Sequence, residues 1–178
     1  VAVLELSSFQ LLTMRQSPHV AVVTNLAPNH LDIHRDMAEY IAAKENIFRY
    51  QTAGDRLVLN ADNDLTVASA ARAVAPVSWF SRRGPVQRGL WCDGEVIRRP
   101  DGSEVLRCGD ILLPGVHNIE NYMAAICAVE GLVPDEAVRR VARQFGGVEH
   151  RIELVRVKDG VRFYNDSIAS SPSRTMAG

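Results

Sequence analysis

A chain of 178 residues with 47% hydrophobic content is long enough for one domain and part of another, built on a sizeable core. Its 20 Lys and Arg against 21 Asp and Glu leave a net charge of -1, which excludes a basic field for nucleic acid and a charged interaction tail. No apolar run is long enough to span a membrane and no basic region marks a signal peptide. The widely spaced Cys92, Cys108 and Cys127 form no CxxC and fit reduced cytoplasmic thiols.

Residues 1–6, VAVLEL, read as a buried strand ending at Glu5, after which Ser8 is placed to cap a short helix from Phe9. His19 to Ala27 is a second apolar strand. Continuous apolar runs of this kind suit parallel strands covered on both faces. A loop carrying His30, Asp32 and His34 leads to a helix with Asp36 as N-cap and Glu39 completing a capping-box pattern. Its apolar stripe is Met37, Tyr40, Ile41, Ile47 and Phe48. Lys44 shares that side of the helix, so it snorkels, pairs with a carboxylate, or becomes neutral.

Arg56 to Asn60 is a third strand, Asp64 to Ala75 an alanine-rich helix, and Val77 to Ser81 a fourth strand. This alternation predicts a mainly parallel α/β sheet flanked by helices. The pattern changes after Gly84. Residues 89–113 carry Asp93-Gly94, Asp101-Gly102 and Gly109-Asp110 between short strand-like runs, which predicts a small antiparallel β-meander. His117 to Leu132 is an amphipathic helix burying Ile119, Met123, Ile126 and Val129, with Asn118 and Asn121 on one face near its start. Another helix runs from Pro134, a first-turn proline, to Phe145. Gly146-Gly147 reads as a linker. Beyond it Asp159-Gly160 joins a hairpin of 151–157 and 161–164, followed by the polar loop NDSIASSPSRT. A boundary near Gly147 divides the chain into 1–147 and 148–178, the latter the start of a second α/β domain. Val1 opens directly into an apolar run and Gly178 closes what reads as the start of a helix, so the sequence is expected to be a piece of a longer protein.

In an open parallel sheet, ligands bind beyond the carboxyl ends of the strands. Glu5 and His30 lie there, with Lys44 on the next helix. A carboxylate and an imidazole suggest a divalent cation, magnesium or manganese. Each residue also has a plain structural role: Glu5 as a helix cap, His30 as a turn residue, and Asp32 and His34 as solvated loop residues. Asn118 and Asn121 either satisfy free N–H groups or recognise phosphate or purine. Arg151 is a strand-edge ion pair or a phosphate clamp, and Asp166 a turn cap or a ribose acceptor. The chain contains neither G-x-x-x-x-G-K-[ST] nor G-x-G-x-x-G, so a phosphate cradle for ATP would lie outside it.

The segments ELSSFQL (5–11), TNLAPNHLD with YIAAKENIF (24–48), LPGVHNIEN (113–121) and HRIELV with NDSIASSP (150–172) together resemble the Mur ligase family, the ATP-dependent amide ligases of peptidoglycan precursor synthesis. The similarity is strongest to its D-glutamate-adding branch. The resemblance implies a three-domain cytoplasmic enzyme, of which 1–147 is most of the central ATP-binding domain and 148–178 the start of the C-terminal ligase domain. It implies ATP, UDP-N-acetylmuramoyl-L-alanine and D-glutamate as substrates, a monomer, and Mg2+, with two ions expected. By position, Glu5, His30 and Lys44 match metal-site and catalytic residues, Lys44 being the family's carbamylated lysine. Asn118, Asn121, Arg151 and Asp166 match nucleotide contacts, while Ser7, His30 and Ser170 are expected near the muramoyl substrate. Ile168 stands where some members have lysine, and Arg174 is the candidate replacement. Two rival readings are another ligase of the superfamily, such as a folylpolyglutamate synthetase, and a non-catalytic nucleotide-binding module.

Overall fold

The structure, a computed structural model, describes residues 1–27 and 34–168. Its elements are α1 (Ser8–Leu12), β1 (Val20–Val23), α2 (Met37–Arg49), β2 (Arg56–Asn60), α3 (Asp64–Ala70), β3 (Val77–Ser81), β4 (Gly89–Cys92), β5 (Val96–Arg98), β6 (Glu104–Arg107), α4 (Val116–Val129), α5 (Asp135–Gln144), β7 (Glu153–Lys158) and β8 (Val161–Asn165). The first six strands form one sheet in sequence order, and β7 and β8 form a separate two-stranded sheet. Strands β1 to β4 pair parallel, and β4, β5 and β6 pair antiparallel.

β2 and β3 have the bounds expected from sequence, because each is an apolar run closed by turn-forming residues. β2 alternates between two cores. Leu57 and Leu59 pack with Tyr40 and Phe48 of α2, whereas Val58 packs with Phe80, Met123 and Ile126, the last two from α4. All three β2 residues are fully buried, which is why the run reads as continuously apolar. Arg56, at the start of β2, closes α4 by donating from Nη1 to the carbonyls of Cys127 (3.2 Å) and Glu130 (2.8 Å), acceptors that a helix end leaves free.

The expected meander forms, and it extends the main sheet. Gly89 makes this junction possible. At φ +113° it lies so close to β3 that an added Cβ would sit 2.0 Å from the Trp79 carbonyl oxygen. Asp93-Gly94 and Asp101-Gly102 are hairpin turns as expected, whereas Gly109-Asp110 falls in a 3-10 turn (Cys108–Asp110). The expected Asp159-Gly160 turn joins β7 to β8, both residues having positive φ.

The N-terminal run is a correction. Residues 1–6 lie in no strand, with Val3 93% and Leu4 74% exposed. Apolar composition marks a run as able to form a strand, but a strand also needs a neighbour for its ladder hydrogen bonds, and among the described residues none pairs with it. The α1 cap is Ser7 rather than Ser8, in a capping box with Gln10. The remaining differences are at element ends: β1 is shorter than His19–Ala27, α3 stops at Ala70, and Pro134 is the cap of α5 rather than its first residue. No described helix is long and apolar enough to cross a membrane.

Candidate functional site

α2 carries the central residue of the site. Asp36 caps it, accepting from the Glu39 N–H at 2.8 Å. Glu39 reaches back one residue further than a capping box requires, to the Arg35 N–H at 2.8 Å, and also takes the Arg35 Nε at 3.1 Å. The helix buries Tyr40, Ala43, Glu45, Asn46 and Phe48, and this fixes which way Lys44 faces. Lys44 is half-buried. Loss of water pushes its ammonium below the ordinary lysine range, and the nearby Glu5 carboxylate offsets part of that shift. The Glu5 carboxylate, in the stretch before α1, is thus near enough to Lys44 of α2 to act on its charge. The effect of burial exceeds that of the carboxylate, so the neutral amine is favoured relative to a solvated lysine.

Ser7, two residues after Glu5, is held by the helix start: Gln10 N–H donates to its Oγ at 3.3 Å, and its own N–H donates to Gln10 Oε1 at 2.8 Å. Glu5 itself does not cap α1. His30, Asp32, Ser170 and Arg174 lie outside the described residues.

His34 contradicts its reading as a solvated loop residue. It is 3% exposed, its Nε2 lies 2.9 Å from Ser8 Oγ, its ring stacks on Phe9 at 5.4 Å and 5°, and Tyr40 meets it edge-on at 5.4 Å. Sequence spacing gives no sign of this, since Ser8 and Phe9 are distant in the chain and the burial depends on α1 folding over α2. Glu45 was likewise missed. It is buried next to Lys44 and accepts from Ser69 Oγ at 2.7 Å and from the Arg72 guanidinium. Buried carboxylates of this kind need such partners.

The start of α4 forms a second group. Asn118 Nδ2 donates to the Pro114 carbonyl at 2.6 Å and Asn121 Nδ2 to Asn118 Oδ1 at 3.3 Å, so the two amides share a face as expected. Gly115 supplies no side-chain cap, and its φ of +92° presses the loop onto the His117 ring, 2.6 Å from where a Cβ would stand. His117 Nδ1 and Tyr122 OH are buried without a hydrogen-bond partner among the described residues.

A third group surrounds Arg151. This exposed residue lies between His150 and Ile152, at φ +66° and +46°. For a β-branched residue such as Ile152, that conformation is strained by about 1–3 kcal/mol. Asp166 Oδ1 accepts from the Ile152 N–H at 3.2 Å, and Asn165 Nδ2 lies 2.8 Å from His150 Nδ1. Asp166 therefore reaches the backbone beside Arg151, and the strained turn presents that guanidinium outward. Ile168 is 45% exposed and holds the same turn through its N–H, which donates to the His150 carbonyl at 3.3 Å.

The family profile of the Mur ligase middle domain matches residues 1–129. A UDP-N-acetylmuramoylalanine--D-glutamate ligase from Acetivibrio thermocellus is 56% identical over 179 residues, covering 99% of this chain and 38% of that protein. The ligase of the same name from Clostridium kluyveri is 53% identical, with the same coverage. The chain thus spans well under half the length of these curated relatives. Among solved structures, MurF from Acinetobacter baumannii superposes with a TM-score of 0.75 at 21% identity, over 90% of this chain and 36% of that one. The UDP-N-acetylmuramate-alanine ligase MurC from Thermotoga maritima gives 0.68 at 21% identity, over 90% and 37%. At that identity the structures support the fold alone.

Proposed function

This chain belongs to the Mur ligase family, and on that premise we propose that it is part of an ATP-dependent ligase that adds D-glutamate to UDP-N-acetylmuramoyl-L-alanine. The observation that carries the reading is Lys44, half-buried and shifted toward its neutral form beside Glu5. Only a neutral amine attacks carbon dioxide, and the resulting carbamate turns a cation into a carboxylate-like ligand. Among the described residues no group of three His, Cys, Asp or Glu side chains could hold a metal ion. By resemblance to the family, the proposed set is Glu5, carbamylated Lys44 and His30, which together suit two magnesium ions. Bound magnesium would offset the negative charge that develops on the transferring phosphoryl group.

In this reading the muramoyl-L-alanine carboxylate attacks the γ-phosphate, giving an acyl phosphate and ADP. The D-glutamate amine then displaces phosphate to form the amide. Asn118 and Asn121 take the adenine side, Asp166 the ribose, Arg151 a phosphate, and Ser7 with Ser170 the muramoyl substrate. His30 serves both metal and substrate. Residues 1–147 form most of the central domain and 148–178 begin the C-terminal one. The complete protein is cytoplasmic and monomeric, and its phosphate loop lies outside these residues.

The test uses the complete protein. Lys44→Ala is expected to lower amide formation by about 10²-fold or more, as loss of a group that supports transition-state charge does. Acetate or formate is expected to restore part of it by standing in for the carbamate. Undiminished amide formation would remove Lys44 from the mechanism. Incorporation of L-alanine or a diamino acid in place of D-glutamate would transfer the protein to another ligase of the family.

A further inference from the structure

The two halves of the proposed site come from different elements. Glu5 and Ser7 immediately precede α1, a helix of only Ser8–Leu12, while Lys44 sits two turns into α2. So short a helix has no independent stability. Something must hold it in place for Glu5 to stay near Lys44.

Two contacts do so. Asn46 Nδ2 of α2 donates to the Leu11 carbonyl at 2.9 Å, fixing the far end of α1. His34 fixes the near end, where Ser8 Oγ meets its Nε2 at 2.9 Å and Phe9 stacks on its ring. On its other sides the imidazole meets Tyr40 edge-on and has its Nδ1 3.9 Å from Glu39 Oε2, both in the first turns of α2. A single buried ring therefore touches both the element behind Glu5 and the helix bearing Lys44.

We propose that His34 is a positioning residue of the ligase site, clasping α1 to the start of α2 so that Glu5, Ser7 and Lys44 keep one geometry. This rests on the ligase reading above. A buried histidine filling space would need only its ring. The Ser8 bond adds direction, since it ties a side chain at the start of α1 to the imidazole while Asn46 holds the far end through the Leu11 carbonyl.

The experiment uses the complete protein with His34→Phe, which keeps an aromatic ring against Phe9 and Tyr40 but cannot bond Ser8. His34→Gln is its companion, because the amide can again reach the hydroxyl. Hydrogen exchange of residues 8–12 is expected to speed up in His34→Phe while that of α4 is unchanged, and His34→Gln is expected to slow it again. In the amide-forming assay kcat is expected to fall about 10- to 100-fold in His34→Phe, the range for residues that orient a site's ligands. KM for ATP is expected to stay within about twofold, with part of kcat recovered in His34→Gln.

Unchanged exchange at residues 8–12 overturns the clasp whatever the catalytic result. Faster exchange there with kcat unaltered overturns the positioning role. A loss of kcat in both variants that matches only a loss of folded protein reduces His34 to a core residue. If the wild-type protein forms no amide at all, the ligase reading fails, while the exchange arm still judges the clasp.

Discussion

The two faces of the main sheet are built on different terms. The face under α4 is nearly all apolar: Phe80, Leu90, Ile97, Leu106, Met123 and Ile126 are buried there, and the hydroxyl of Ser78, opposite Val58 in the strand register, has no partner among the described residues. The face under α2 and α3 buries Leu57, Leu59, Tyr40 and Phe48, but its helices also bury Glu45, Asn46, Thr66 and Ser69, with Lys44 half-covered. An apolar face tolerates rearrangement that keeps its volume. A polar one is stable only when each donor meets its acceptor. The second face thus gives up some apolar burial for hydrogen-bonded polar groups, and its helix α2 also carries Lys44.

Three measurements in the complete protein would break or sharpen this contrast. The largest effect is expected on the apolar face. Phe80→Ala empties a fully buried position and should cost about 3–5 kcal/mol by chemical denaturation. A loss under about 1 kcal/mol would mean that the face is loosely packed after all. On the polar face Glu45→Ala removes the acceptor of Ser69 and Arg72. Because Arg72 is half-exposed and regains water, the cost should be smaller, about 1–3 kcal/mol. The polar face predicts a further sign here: Glu45→Ala should reduce kcat through the neighbouring Lys44, whereas Phe80→Ala should leave the kcat of the molecules that remain folded near that of the wild type.

The smallest effect belongs to the rim. Asp93 in the β4–β5 turn accepts from Arg98 Nε and from the N–H groups of Glu95 and Val96, which hold its carboxyl down to about 2. A depressed folded value makes the stabilising contribution fully present above the unfolded value of 3.8. That contribution disappears as pH falls from there through about 2. The melting difference between wild type and Asp93→Asn should therefore be small and constant at neutral pH and vanish across that acid window. A difference that persisted below pH 2 would assign the turn's stability to something other than the ionised carboxylate.

Much of the architecture is legible in the sequence because local rules suffice for it. β2 and β3 are apolar runs between turn signals, Asp36 is a capping residue in the right place, and Asp159-Gly160 can hardly be anything but a tight turn. Lys44 stands out because it interrupts an apolar stripe. What the sequence hides depends on distant partners. VAVLEL has the composition of a strand without a neighbour among the described residues. His34 is buried only because α1 closes over it, and Glu45 is tolerated only because Ser69 of α3 and Arg72 just beyond it reach it. The sequence places Glu5 near Lys44 as the end of a parallel strand and by family resemblance; residues 1–6 form no strand, so of these only the resemblance still stands behind the pairing.

The change from parallel to antiparallel pairing at β4 also sets a schedule. Pairs such as Ile97 with Leu106 close across a short turn, whereas Val20 must find Arg56 across all of α2. Closing the longer loop costs more chain entropy before any contact rewards it, so the meander is the faster part to form. On the ribosome the order is reversed, and β1 emerges well before β4, β5 and β6. The strands made first are thus those that must wait longest for a settled sheet, and their apolar runs stay uncovered in the interval.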